Sequence, residues 1–241
     1  MAVIHRTTLT PTKLELLTSW LPAQPWYEGG GRPELTKAGG FRLDDPRGEV
    51  GMEFMVVTDV SGDRPVSYHV PLTYRGAPLE GAGHALVGTA EHGVLGRRWI
   101  YDGTHDPVLV AQLHALFVGD AEAQDQSVSD TPDPSVTRSF TGTAAPTPIR
   151  PAAVARAPHA TDIVVSADNS ADDTADDTAD DTVDAAADGG RGGRLTLRVI
   201  RVLRPGEADV ADALGHVTAG WRLPDGTDVR GVFAAITDAS R

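Results

Sequence analysis

The chain has 241 residues and a formal net charge of −13, with 40% hydrophobic and 5% aromatic residues and without cysteine. This length accommodates one or two domains, and the hydrophobic content suffices for a core. The lack of cysteine excludes a disulfide framework and a thiolate metal site. Because the sequence shows neither a signal peptide nor a run of ~18–20 apolar residues, we predict a cytoplasmic chain without a membrane span.

The acidity is concentrated in one segment. Residues 120–193 contain 15 acidic and 4 basic residues, a net charge of −11, which leaves −2 for the rest of the chain. The tetrapeptide Ala-Asp-Asp-Thr occurs three times in tandem over 171–182. Such a repeat cannot bury enough apolar surface to offset the entropy of ordering. We therefore predict that 120–193 is a disordered linker, rich in Ala, Asp, Thr and Pro, which ends in the glycine-rich hinge 189–193.

A first amphipathic helix is predicted near the start of the chain. Its start signals are Thr10-Pro11 and the capping-box pair Thr12 and Glu15, and Pro22 ends it. Its apolar face carries leucines at helical spacing, namely Leu14, Leu17 and Leu21.

A second helix is predicted from Asp106-Pro107, a cap followed by a first-turn proline, to Gly119, a glycine cap. Its apolar face consists of Leu109, Leu113, Leu116 and Phe117.

Strands are predicted on both sides of the acidic segment. Apolar and polar residues alternate strictly over 66–74, where Pro71 predicts an edge strand or a bulge. Three short strands are predicted after 194, two of them joined by a turn at 224–226. We predict an α+β fold, a curved, mostly antiparallel β-sheet with two helices, interrupted by a long disordered acidic insertion. In this division 1–119 is an α+β domain, 120–193 is the linker, and 194–241 holds strands that complete the same sheet.

Two aromatic stretches carry a family resemblance. Residues 20–27 read Trp-Leu-Pro-Ala-Gln-Pro-Trp-Tyr and precede a Gly/Arg-rich turn over 28–32. Residues 87–90 form a Val-Gly-x-Ala segment, followed by the run Trp-Ile-Tyr-Asp-Gly over 99–103. On these motifs, residues 8–119 resemble the N-terminal cap domain of actinobacterial maltokinases, a family that includes enzymes fused to trehalose synthase. The kinase lobes of that family have no counterpart in the sequence.

The resemblance implies a set of family-signature residues that are also a candidate interface: Trp20, Gln24, Trp26, Tyr27, Trp99, Tyr101 and Asp102. Large aromatic residues also stabilise cores by burial, about 1.5–3 kcal/mol each, so a role inside the core is the alternative for most of them.

The sequence carries no recognisable catalytic motif. It contains no phosphate-binding Gly-x-x-x-x-Gly-Lys-Ser/Thr loop and no His-Arg-Asp or Asp-Phe-Gly segment. Four histidines, His84, His92, His105 and His114, fall in one region without close metal-ligand spacing, which favours surface or capping roles. A glycosidase would need a pair of carboxylates, but we predict that the candidate acids are solvated surface residues instead: Glu28, Glu34, Glu49 and Glu53. We predict no catalytic, cofactor-binding or metal-binding residues, and no cofactor.

The leading functional hypothesis is a stand-alone, non-catalytic cap-like protein that acts as an accessory or interaction module in α-glucan, trehalose and maltose-1-phosphate metabolism. Its partner would be maltokinase, trehalose synthase or a glucan-branching enzyme. No nucleic acid is expected, because the acidic segment would compete for any basic groove, and no membrane is expected, because the sequence has no long apolar run. Two alternatives remain open. One is a subunit of a split maltokinase that phosphorylates maltose with ATP, and the other is a carbohydrate-binding module for an oligosaccharide.

Overall fold

A computed structural model of the chain describes residues 8–142, 149–167, 194–206 and 212–239. The tandem repeats at 171–182 and the glycine-rich hinge at 189–193 lie outside these described residues.

The described residues form two α-helices, three short 3-10 turns and fourteen β-strands. The helices are α1 (Lys13–Trp20) and α2 (Pro107–Val118), and the 3-10 turns are Leu21–Ala23, Gly83–Ala85 and Gly103–His105. The strands before α2 are β1 (Leu9–Thr10), β2 (Leu35–Leu43), β3 (Gly51–Asp59), β4 (Val66–Arg75), β5 (Leu86–His92) and β6 (Gly96–Asp102). The strands after it are β7 (Gln124–Asp125), β8 (Thr137–Phe140), β9 (Ile149–Ala157), β10 (Ala160–Ala167), β11 (Leu195–Ile200), β12 (Val202–Leu203), β13 (Gly215–Arg222) and β14 (Asp228–Asp238).

All fourteen strands belong to one sheet. Its main order is β1-β5-β6-β4-β3-β2-β13-β14-β11-β10-β9, with β12 on β4, β7 on β2 and β8 on β13. Every named strand pair is antiparallel. The predicted fold class, a curved, mostly antiparallel sheet with two helices, is confirmed. The strands from the end of the chain pair directly with those from its first half, through β13 on β2 and β12 on β4.

The two helices cover opposite faces of the sheet. On β3, Phe54 and Val56 belong to a core cluster with the apolar face of α2, whereas Met55 and Val57 belong to a second cluster with α1. Successive side chains of a strand point to opposite faces, so β3 is buried on both sides. The first core cluster also takes in side chains of β9 to β14, and it therefore joins both halves of the chain.

Local signals place both helices. Thr12 and Glu15 form the predicted capping box, so the helix starts at the Thr12 cap rather than at Thr10-Pro11. On its apolar face, Leu17 and Leu21 are fully buried. Pro22 does not end the helical segment abruptly, because it lies inside the 3-10 turn Leu21–Ala23 that continues α1.

The second helix has both predicted ends. Asp106 caps α2 by accepting the backbone N–H of Val108 (3.0 Å), and Gly119 ends it in a left-handed conformation with φ 95°.

The prediction that Pro71 marks an edge strand or a bulge is wrong, because β4 lies in the interior of the sheet and its register with β3 continues without a shift through Pro71. On the side away from β3, the backbone N–H of His69 donates to the carbonyl of Arg201 (2.9 Å), whereas Leu72 pairs with Asp102 of β6. The backbone N–H groups of alternate residues point to the same edge of a strand, so an N–H at position 71 would point to the same edge as that of His69. At this edge β4 changes partner between the Arg201 contact and β6, and Pro71, which lacks an N–H, lies at the change. The strand needs no hydrogen-bond donor at that point.

The prediction of a disordered linker over 120–193 is wrong for β7 to β10. Ile163 and Val165 on β10 and Ile149 on β9 are at most 4% exposed and pack in the larger core cluster. The average composition of 120–193 obscured this pattern, because the acidic repeats contribute most of the charge but lie beyond β10. The part over 168–193 lies outside the described residues.

The junction between the two halves requires glycine on β2. Gly39 lies opposite Trp221 of β13, and a Cβ at Gly39 would lie 3.2 Å from the Cα of Trp221. At Gly40 (φ 128°), a Cβ would lie 2.2 Å from the carbonyl oxygen of Phe54 on β3. A Cβ at Gly40 would therefore clash with β3, whereas one at Gly39 would require β13 to shift by a few tenths of an ångström.

Candidate functional site

The first signature stretch folds as a turn packed onto β4. The rings of Trp20 and Trp26 lie 5.8 Å apart, and that of Trp26 lies 5.9 Å from Tyr68. Gln24 holds the turn by donating from Nε2 to the carbonyl of Trp20 (3.2 Å). Trp26 is 2% exposed, so it belongs to the core, whereas Trp20 and Gln24 are half-buried.

Tyr27 closes the turn that follows. Its hydroxyl donates to Asp59 Oδ2 (3.0 Å) and lies 3.2 Å from the carbonyl of Gly31. Burial and the neighbouring Asp59 raise the pKa of Tyr27 to about 12. The ring is half-buried and lines an open groove of about 580 Å³ together with Thr18, Ser19 and Arg32.

The second signature stretch runs from the surface into the core. Trp99 is half-buried, with the Arg97 guanidinium 5.8 Å from its ring centre. Tyr101 is 2% exposed, and its hydroxyl accepts the backbone N–H of Leu79 (2.9 Å). Asp102 is 4% exposed and ends β6.

A buried ion pair joins both signature stretches to the end of the chain. Arg201, which is fully buried between β11 and β12, donates from Nη2 to both carboxylate oxygens of Asp102 (2.7 and 2.6 Å) and to Thr104 Oγ1 (2.9 Å). Its Nε donates to Thr161 on β10 (2.9 Å). The guanidinium carbon lies 5.1 Å from the ring centre of Trp26. We call Arg201, Asp102, Thr104 and Thr161 the arginine cluster.

The arginine cluster holds Asp102 ionised. Burial opposes ionisation of this carboxyl, but the charge of Arg201 and the hydrogen bonds from Arg201 and Thr104 outweigh it and hold the pKa below its usual range. An unpaired buried charge is costly, so the two groups depend on each other.

Sequence reasoning missed the role of Arg201 because its partners are distant in sequence. Thr161 precedes it by 40 residues and Asp102 by 99. In the sequence it is one of several arginines between 194 and 204 that look like a basic strip. That strip is already engaged in ion pairs, since Arg198 binds Asp162 (2.7 Å) and Arg204 lies 3.4 Å from Glu28. The one local signal is that Arg201 interrupts the apolar run Val199 to Leu203.

A second buried carboxylate sits on β3. Glu53 is 3% exposed, and it accepts hydrogen bonds from Lys13 Nζ (2.5 Å), Tyr74 (2.7 Å) and Gln126 (2.7 Å). Burial opposes its ionisation, but Lys13, Tyr74 and the charge of Lys37 keep its pKa lowered. Glu53 is therefore a structural carboxylate, contrary to the prediction that it is a solvated surface acid.

We expect Glu53→Gln to lower the free energy of unfolding by about 1–3 kcal/mol at pH 7, because hydrogen bonds to a charged group are lost. A lowered folded-state pKa stabilises the protein above the pKa of the unfolded chain, and this contribution disappears as the pH falls through the folded-state value. The difference from the wild type should therefore narrow below about pH 4. Urea unfolding of both proteins between pH 3 and pH 7 measures this difference in the free energy of unfolding.

Glu49→Gln is the matched control, since Glu49 is an exposed carboxylate near the start of β3. A Glu53→Gln effect that is constant across this pH range would contradict the assignment of a charged Glu53.

The four histidines of this region occupy different environments. His114 is 1% exposed, and burial lowers its pKa. His92 accepts the backbone N–H of Leu95 (3.0 Å), a turn-capping contact. His84 and His105 come together across two 3-10 turns, with 3.1 Å between His84 Nε2 and His105 Nδ1. Within the described residues, no group of three or more His, Asp or Glu side chains is placed to hold a metal ion.

Comparison with known families gives a match that contains both signature stretches. Residues 20–106 match the family model of the maltokinase N-terminal cap domain. The match begins at Trp20, ends at the cap of α2, and contains both signature stretches, so the predicted resemblance is confirmed. Residues 20–106 of the chain are thus similar to the cap domain of maltokinases. A search of curated proteins gives no match.

The matched segment is only part of the sheet. It contains β2 to β6, whereas α2 and β7 to β14 follow it. Arg201 and Thr161, which complete the arginine cluster, also lie beyond it. Along the described parts of the chain, no helix is long and apolar enough to cross a membrane.

Proposed function

We propose that this chain is a non-catalytic maltokinase cap-like module that acts by binding an enzyme of α-glucan, trehalose and maltose-1-phosphate metabolism in the cytoplasm. The observation that carries the proposal is the cap-family match over 20–106, which contains seven residues singled out from the sequence alone. The partner classes are maltokinase, trehalose synthase and glucan-branching enzymes.

Three buried carboxylates inside the matched segment favour a non-catalytic role. Asp102 is paired with Arg201, Glu53 with Lys13, and Asp106 with Arg75 through two hydrogen bonds of 2.7 Å. Each of these carboxylates is at most 4% exposed. Groups committed in this way to the fold are poorly suited to general acid or base chemistry, which needs access to a substrate.

The surface of the segment offers apolar contacts. Val94 and Leu95, at the β5–β6 hairpin, are 62% and 47% exposed, and Leu86 at the start of β5 is 37% exposed. Trp99 on β6 is half-buried. Exposed apolar groups of this kind favour protein association over solvent.

Carbohydrate binding is the second candidate function. The groove beside Tyr27 combines a half-buried aromatic ring with the hydroxyls of Thr18 and Ser19 and with Arg32. A ring beside hydrogen-bonding groups fits an oligosaccharide, and a tryptophan fluorescence titration with maltose would detect binding through the adjacent Trp20.

Co-purification tests the proposed association. The tagged full-length chain is recovered from its own cells together with the variant Val94→Asp/Leu95→Asp, and the eluates are compared by quantitative mass spectrometry. Val128→Asp is the matched control, because Val128 is 53% exposed and lies outside the matched segment. We expect enrichment of a maltokinase, trehalose synthase or branching enzyme with the wild type and the control, and its loss with the double variant. Recovery of a protein that carries kinase lobes would favour the split-maltokinase alternative, and no enrichment over the tag alone would contradict the association.

A further inference from the structure

The pair of histidines beside the arginine cluster has a geometry that neither the family match nor the proposed function uses. His84 lies on the 3-10 turn Gly83–Ala85 and His105 on the turn Gly103–His105. Their rings are 4.7 Å apart and nearly perpendicular (89°). Both line an open groove of about 480 Å³, which Glu80 and Val154 also line. The two imidazoles are therefore reachable from solvent.

The separation of the two ring nitrogens matches that of two ligands on one metal ion. Zinc binds histidine nitrogen at about 2.0–2.1 Å, so two nitrogens at the tetrahedral angle lie about 3.3 Å apart. At the right angle of a square-planar copper or nickel centre, the separation is about 2.9 Å. The observed 3.1 Å between His84 Nε2 and His105 Nδ1 falls between these values. In the absence of metal, one nitrogen donates a hydrogen bond to the other.

The backbone on both sides of the pair is fixed. Thr104, the neighbour of His105, bonds to Asp102 and Arg201, and the next residue, Asp106, donates its N–H to the carbonyl of Gly103 (3.0 Å). On the other turn, Ala85 is 4% exposed and packs in a small cluster with Tyr101. A preorganised pair needs less ordering on binding than two mobile side chains.

We propose that His84 and His105 form a binding site for one divalent transition-metal ion, of the class that prefers imidazole nitrogen: zinc, nickel or copper(II). Two protein nitrogens bind the ion, and water fills its remaining positions. Glu80 lines the same groove.

Titration of the full-length chain with zinc chloride and nickel chloride by isothermal calorimetry tests the site. We expect one ion per chain, and an affinity weakened roughly tenfold or more by His84→Ala or His105→Ala, since even indirect support of a metal ligand is worth that much. His92→Ala is the control for a half-buried histidine outside the pair, and His159→Ala is the control for an exposed one, which lies 3.3 Å from Glu28.

Electron paramagnetic resonance of added copper(II) identifies the ligands. We expect nitrogen hyperfine splitting in the wild type and its reduction in His84→Ala, which changes only an exposed side chain and should keep the fold. Circular dichroism checks the fold of each variant. If the His105→Ala variant is unfolded, the result for His84→Ala alone tests the proposal. Lack of binding, or binding that His84→Ala leaves unchanged, would overturn the proposal.

Discussion

Replacing Arg201 with methionine is expected to lower the free energy of unfolding by about 3–5 kcal/mol, among the largest losses that a single substitution causes. The variant leaves the Asp102 carboxylate buried at 4% exposure without its cation. It also removes the hydrogen bonds to Thr104 and Thr161 and the contact with Trp26. Urea unfolding followed by circular dichroism measures the change.

The double variant Arg201→Met with Asp102→Asn should recover part of this loss, because the buried group is then neutral. Arg222→Met is the matched control, since Arg222 pairs with Asp228 on the exposed surface and should change stability little. A small effect of Arg201→Met, equal to that of Arg222→Met, would contradict the structural role of the arginine cluster.

Replacing Trp221 with alanine is expected to cost about 3–5 kcal/mol through the cavity that it creates in the core. Trp221 is 3% exposed, lies 6.0 Å from the ring of Phe233, and faces Gly39 at the junction of β13 and β2. Its indole nitrogen has no hydrogen-bond partner within the described residues, so the loss comes from packing.

This variant also tests whether the two halves unfold together. In a single cooperative unit, circular dichroism and the fluorescence of the remaining tryptophans shift by the same amount. Trp99→Ala is the control, because Trp99 is half-buried and far less packed, and it should cost less. Two separate transitions, with the tryptophans near the start of the chain unaffected, would contradict a shared sheet.

Features with local causes were predictable from the sequence. The capping box at Thr12 and the cap pair Asp106 and Gly119 depend on residues within a few positions of each other. The aromatic motifs predicted the resemblance to the cap domain because the residues of each motif are close together in sequence. The alternation over 66–74 predicted β4 correctly, although its position in the sheet required knowledge of two partners on one side.

Features that depend on distant partners were not predictable. Arg201 and Glu53 look like ordinary charged residues, because nothing local indicates that Asp102 and Lys13 will pair with them. The strands β9 and β10 were obscured by the charge of the repeats that follow them. Likewise, the spacing of His84 and His105 gives no hint that their turns meet, since they lie 21 residues apart.

The most direct test of the proposed association uses purified components. The full-length chain is mixed in turn with purified maltokinase, trehalose synthase and glucan-branching enzyme, and each mixture is separated by size-exclusion chromatography with light scattering. We expect one of these enzymes to co-elute with the chain at the mass of a complex, and we expect Val94→Asp/Leu95→Asp to abolish the co-elution while Val128→Asp preserves it. Separate elution of the chain from all three enzymes would contradict the proposed association.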